Sequence, residues 1–209
     1  MIGPRALSTL AVVATVAVAQ LFTDQVPVVD LGGGGPFVES GEVGSEVHLS
    51  YADVEVTDVG PAQYLAPPIS TDLARVAGGV WMVVSVHLSA TTQPVRIQNA
   101  WLVDPHGREY MASTRSSCAL NPRVATGVVT YAVFCFDVPT DRLEGLRFRI
   151  ARGDHTVGRT DDDDLADVDL AVSARDAQTW ADTTKAYLAV DYSLEPLELQ
   201  EITLTETGS

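Results

Sequence analysis

Lysine is almost missing from this chain. Of its 209 residues Lys185 is the only one, and 13 basic side chains face 28 acidic ones, for a formal net charge of −15. Binding a phosphate backbone relies on Lys and Arg to displace counterions, which excludes nucleic acid as a partner class. Anionic lipid headgroups are disfavoured for the same reason. The plain reading of the acidity is solubility.

Cysteine is nearly as scarce. Cys118 lies in the turn-rich "STRSSCALNPRVATG" and Cys135 in the strand-like run "VVTYAVFCFDVP". Neither has a CxxC partner or the basic, histidine-containing neighbourhood that activates a thiol. A structural disulfide between them is expected, with a buried free thiol as the alternative and reactive chemistry a remote third. Such a bond implies a compartment where disulfides persist, outside the cytoplasm.

Catalytic signatures are missing too. The sequence has no Gly-x-Ser-x-Gly elbow, no His-Glu-x-x-His, no Walker loop and no dinucleotide fingerprint. Its four histidines, His48, His87, His106 and His155, are scattered without ligand spacing, and each reads as exposed or structurally satisfied. No catalytic residue and no cofactor are expected. Because a Ser-His-Asp set assembles in space, a secreted hydrolase is carried as a lesser alternative.

Against these absences stands one long apolar run, Ala6–Phe22, preceded by Arg5 and followed by Asp24. Positive before and negative after orients the N-terminus inward and sends the rest outward. Seventeen helical residues reach roughly 25 Å, slightly short of a hydrocarbon core. "AVA" at Ala17–Ala19 satisfies the small-x-small rule for cleavage before Gln20. Residues 1–22 are therefore a signal anchor or a signal peptide, the anchor being favoured because the apolar run continues through Leu21 and Phe22. The protein is then a single-pass membrane protein with its domain outside, or secreted if cut after Ala19. A buried helix of a soluble domain is the third reading.

Residues 23–46, with four consecutive glycines at Gly32–Gly35, read as a flexible tether. From Val47 the apolar pattern changes to period two. "VHLSYADVEVTDV" reads as a strand with a one-residue slip. "VWMVVSVHLS" places Val80, Met82, Val84, Val86 and Leu88 on one face, with Ser85, His87 and Ser89 opposite. "VRIQNAWLVD" runs into a turn at Pro105-His106-Gly107, and "REYMAS" pairs back as a hairpin arm. "VVTYAVFCFDV", "LRFRIA" and "LADVDLAVS" read as further strands. Ser173 caps a short helix, "ARDAQTWADT", with Ala177, Trp180 and Ala181 on one side. "KAYLAVDYSL" reads as one more strand. Short strands joined by Pro/Gly/Asp turns predict an antiparallel immunoglobulin-like β-sandwich over 47–195. Residues 153–195 are expected to complete it, rather than form a separate lobe, and 196–209 is an acidic tail.

Three stretches from about 42 to 152 resemble the telokin-like DUF4352 group of exported bacterial proteins, in the immunoglobulin-like class that includes secreted MPT63-type antigens. They are "EVGSEVHLSYADVEVTDV", "GGVWMVVSVHLSATTQPVRIQNAWLVDPHGREY" and "GVVTYAVFCFDVPTDRLEGLRFRI". The second carries Asp-x-x-Gly-x-x-Tyr at Asp104, Gly107 and Tyr110, and the third Phe-Asp-Val-Pro at Phe136–Pro139. At "SATTQPV" the chain departs from the asparagine usual before that turn. The resemblance implies an extracytoplasmic sandwich of largely unassigned function, and brings no catalytic residues.

One acidic constellation stands out, "TDDDDLADVD", with Asp161, Asp162, Asp163 and Asp164, then Asp167 and Asp169. Clustered carboxylates suit Ca²⁺, but the run lacks the glycine and closing glutamate of an EF-hand, and a solvated loop is the simpler reading. Trp81 and His87, on the outward side of their strand, form a candidate interaction surface if Trp81 is exposed, the equal alternative being that the C-terminal segment covers Trp81. The expected function is a membrane-tethered binding or scaffold protein without catalysis, and the alternative an accessory subunit of a membrane complex. Its partner would be an envelope or extracellular protein, or a small extracellular ligand.

Overall fold

A computed structural model describes residues 37–66, 75–113, 118, 122–152, 164–184 and 186–188. The anchor Ala6–Phe22, the glycine run, Asp161–Asp163 and the acidic tail lie outside them. No helix among the described residues is long and apolar enough to cross a membrane.

Twelve strands are described: β1 (Val38–Glu42), β2 (Glu46–His48), β3 (Ala52–Ala66), β4 (Arg75–Ala90), β5 (Val95–Arg96), β6 (Asn99–Val103), β7 (Glu109–Met111), β8 (Arg123–Val124), β9 (Thr130–Val138), β10 (Arg147–Ala151), β11 (Leu165–Asp169) and β12 (Ala186–Leu188). They build one sheet in the order β1-β11-β10-β6-β7, a second in the order β12-β3-β4-β9 with β2 also on β3, and a small β5-β8 pair. The chain is a β-sandwich.

Alternation drives the strands into two layers. Val80, Met82, Val84, Val86 and Leu88 of β4 all point into the space between the sheets, where they are buried. Phe148 of β10 reaches across from the first sheet and meets Phe134 and Phe136 of β9, with ring centroids 5.8 and 6.0 Å apart. One Phe against two is the centre of the core, at a separation where tilted aromatic pairs add to simple burial.

Several elements differ from the expectation. Residues 38–42, assigned to the tether, form β1, which pairs parallel with β11. Its side chains are nearly all exposed, so no apolar alternation marks it. "VHLSYADVEV" is a hairpin and not one strand: β2 turns back through Leu49–Tyr51 onto β3. The irregularity lies further on, at register shifts between Val56 and Asp58 and between Ala62 and Tyr64. "VRIQNAWLVD" breaks at Ile97–Gln98 into β5 and β6, which join different sheets. β9 and β10 likewise sit in opposite sheets, joined by a 3-10 turn at Thr140–Arg142. The pairing is antiparallel except for β1 on β11 and β12 on β3.

The C-terminal stretch completes the sandwich. β11 lies inside the first sheet, between β1 and β10. Helix α1 (Ala174–Ala181) starts at a capping box in which Ser173 Oγ accepts from Asp176 N–H and the Asp176 carboxylate accepts from Ser173 N–H. Its Ala177, Trp180 and Ala181 pack against the core. At the start of β4 the backbone needs glycine, because a Cβ on Gly79 would stand 2.2 Å from the Val138 carbonyl oxygen. The Asp137 carboxylate takes the N–H groups of Gly78 and Gly79 there, at 3.0–3.1 Å.

Candidate functional site

The outward face of the second sheet brings several polar side chains together. Strand register sets out its rows. Asp53 stands opposite Ser89, Glu55 opposite His87, and Asp58 opposite Ser85. On the other flank of β4, His87 faces Tyr131 and Ser85 faces Val133. Glu46 of β2 extends the His87 row, so Glu46, Glu55, His87 and Tyr131 cross the sheet side by side.

In this row His87 Nδ1 lies 3.4 Å from Glu55 Oε2, with both side chains about one-third exposed. The Tyr131 ring meets the imidazole edge-on, centroids 4.6 Å apart at 87°. Beside them is an open cavity of about 250 Å³ lined by Thr57, Asp58, Ser85, His87 and Tyr131 among others. A carboxylate, an imidazole, a phenol and two hydroxyl side chains can donate and accept hydrogen bonds to a small polar ligand or to a partner's side chains.

Toward the β2 end, His48 Nδ1 lies 2.8 Å from Asp53 Oδ1 and 3.3 Å from Glu46 Oε1. The Asp53 hydrogen bond, with the charges of Asp53 and Glu46 behind it, raises the His48 pKa above its ordinary value. Ligand atoms of these three side chains all lie within 4.8 Å of one another.

Toward the other end the face is apolar. Trp81 is buried at 1% exposure among Ala62, Leu65, Val83, Val133 and Cys135, with Cys118 against them. Its indole N–H donates to the Arg75 carbonyl at 3.0 Å. Trp81 is therefore no exposed hot spot, which corrects the expectation for that residue, whereas His87 keeps an open edge. Cys118 and Cys135 are joined in a disulfide, Cα–Cα 5.8 Å, within this apolar cluster.

Among the described residues, the remaining sequence candidates make structural contacts. Of the acidic run, Asp164 is described: its carboxylate accepts from Ser50 N–H at 2.6 Å and its carbonyl from the Tyr51 hydroxyl. Asp167 takes Arg147 Nε at 2.8 Å and an Arg149 guanidinium nitrogen at 3.1 Å, and Asp169 also pairs with Arg147. The Asp104 motif is a turn. Asp104 Oδ1 accepts from the N–H groups of His106 and Arg108 at 2.8 and 2.9 Å, and Oδ2 from the Tyr110 hydroxyl at 3.3 Å. Gly107 closes the turn with φ +77°, which favours glycine. Burial works against the Asp104 charge, yet the hydrogen bonds from Arg108, His106 and Tyr110 outweigh it and hold the carboxyl below its ordinary pKa.

The sequence picked out His87 but not its company. Glu55 and Tyr131 come from strands far away in sequence, and only the register aligns them.

No family model matches the chain, and no curated protein matches it. Among solved structures it is similar to the secreted protein MPT63 of Mycobacterium tuberculosis, at 12% identity over 65% of this chain and 97% of that one, TM-score 0.43. It is also similar to the yjhA protein of Bacillus subtilis, at 11% identity over 62% and 99% of the two chains, TM-score 0.44. A third is an uncharacterized β-sandwich protein of Clostridium difficile, at 9% identity over 64% and 95%, TM-score 0.41.

Proposed function

We propose that the chain is an extracytoplasmic, membrane-tethered β-sandwich that acts by binding, without catalysis, and that it presents the outer face of β3, β4 and β9 around His87 and Tyr131. The observation that carries this reading is the Cys118–Cys135 disulfide in a chain with no other cysteine. A protein kept in a reducing compartment gains nothing from such a bond. The apolar run Ala6–Phe22, flanked by Arg5 and Asp24, supplies the tether. The polar row and its cavity supply a surface that faces away from the core. The turn formed at Asp104, Gly107 and Tyr110 supports kinship with the DUF4352 group, whose motif it matches. The partner is an envelope or extracellular protein, or a small polar ligand.

The test is the intact mass of the protein from native cells quenched with an alkylating agent, with and without reduction. The expected product is a chain in the membrane fraction that starts at its own N-terminus and takes up alkyl groups only after reduction. Alkylation before reduction would overturn the extracytoplasmic reading. A chain starting at Gln20 in the medium would keep the compartment and remove the tether.

A further inference from the structure

We propose that Glu46, His48 and Asp53 bind one divalent cation of the zinc class on the outer face of the β2–β3 hairpin. His48 and Asp53 are ladder partners, and Glu46 lies two residues before His48 on the same strand. Side chains two apart on a strand share a face, so all three project on the side opposite Val47 and Val54, which are buried in the core.

The two spacings from His48 are close to those of a coordination shell, and all three donors lie within 4.8 Å of one another. Around a tetrahedral ion with bonds of about 2.0–2.1 Å, donors stand roughly 3.3 Å apart. His48 Nδ1 and Glu46 Oε1 are already 3.3 Å apart. Asp53 Oδ1, at 2.8 Å, has to withdraw by about half an ångström. The side chains of His48 and Glu46 are 73% and 54% exposed, which leaves a cation room to enter and keep a water as fourth ligand.

The hairpin is also held in place before any ion arrives. At its tip Ser50 N–H is bonded to the Asp164 carboxylate, the Tyr51 hydroxyl to the Asp164 carbonyl, and the Thr91 hydroxyl to the Ser50 carbonyl. Binding then orders side chains and not backbone, which favours affinity. One imidazole with two carboxylates suits zinc and its neighbours in the first transition row, whereas Ca²⁺ and Mg²⁺ prefer all-oxygen shells. A dication also neutralises two carboxylates that otherwise repel one another in a chain of net charge −15.

This inference stands whether or not the binding role proposed above holds. Its test is calorimetric titration of ZnCl₂ into the full chain in detergent, with variants in parallel. One Zn²⁺ per chain is expected. Its affinity should fall about ten-fold or more in both His48→Ala and Glu46→Gln, since each removes one of three protein ligands. It should hold in His106→Ala and in a chain with Asp161, Asp162 and Asp163 changed to Asn, and an equal concentration of CaCl₂ should not displace it. Absence of saturable binding, wild-type affinity in His48→Ala, or displacement by equimolar Ca²⁺ would each overturn the assignment.

Discussion

Asp104 shows how much a single side chain can fix. It is 4% exposed, and its carboxylate satisfies two backbone N–H groups and a tyrosine hydroxyl in the β6–β7 turn. Asp104→Ala leaves these donors without their acceptor, and a loss of about 1–3 kcal/mol is expected for such orphaned groups. Urea unfolding followed by the fluorescence of buried Trp81 and Trp101 measures it. The pH dependence has a definite sign. Because the folded-state pKa lies below the ordinary value, the ionised carboxylate adds stability above the unfolded carboxyl pKa, near pH 4. That contribution disappears as pH falls through the lower, folded value. Asp104→Asn keeps an acceptor at the turn but no longer titrates, so its stability deficit should be larger at about pH 6 than at about pH 3. An equal deficit at both would mean the charge adds nothing.

At the scale of elements, legibility in the sequence followed the environment of each strand. β4 was legible over Ser85–Ser89 because one face is buried and the other wet. The same strand carried the warning about Trp81. Val80–Val84 is five apolar residues in a row, the sign of a strand covered on both faces, and the second cluster does cover it. β1 was illegible, since an exposed edge strand is defined by its partner's ladder and not by its own pattern. The Glu46–Glu55–His87–Tyr131 row was illegible for a related reason: register between distant strands, including the shift near Thr57, decides which residues align. Helix α1 was legible because its start is local chemistry, a serine three residues before an aspartate. With eight residues it has little stability of its own, and its cap matters accordingly. Ser173→Ala should destabilise the protein by about 0.5–2 kcal/mol, and Ser173→Asn, whose amide can still accept from the first turn and donate to the Asp176 carboxylate, by much less. Equal losses in the two variants, read from the same unfolding curves, would show that the hydroxyl's cap bond is not what holds Trp180 against the core.

At the scale of the whole molecule, the disulfide joins facts that are separate in sequence. Cys135 faces outward on β9, opposite Val83, where a sheet surface would otherwise be open. Cys118 follows β7 in sequence, and the bond places it in the apolar cluster with Trp81. One bond thus fixes Cys118 on the second sheet, in the cluster that buries a tryptophan. The link closes a loop of sequence separation 17. Constraining an unfolded chain over such a loop stabilises the folded state by about 3 kcal/mol in the chain-entropy estimate. Replacing both cysteines by alanine should lower stability by about that amount, and adding reductant to the wild type should bring its unfolding curve down to that of the double variant. The comparison separates two ways in which the pair can act. If reductant leaves the wild-type curve in place while the double variant is destabilised, the thiols contribute only as buried apolar groups in the Trp81 cluster. If both curves fall together, the covalent link is what the fold requires, and a compartment that preserves it becomes a condition of the protein's stability.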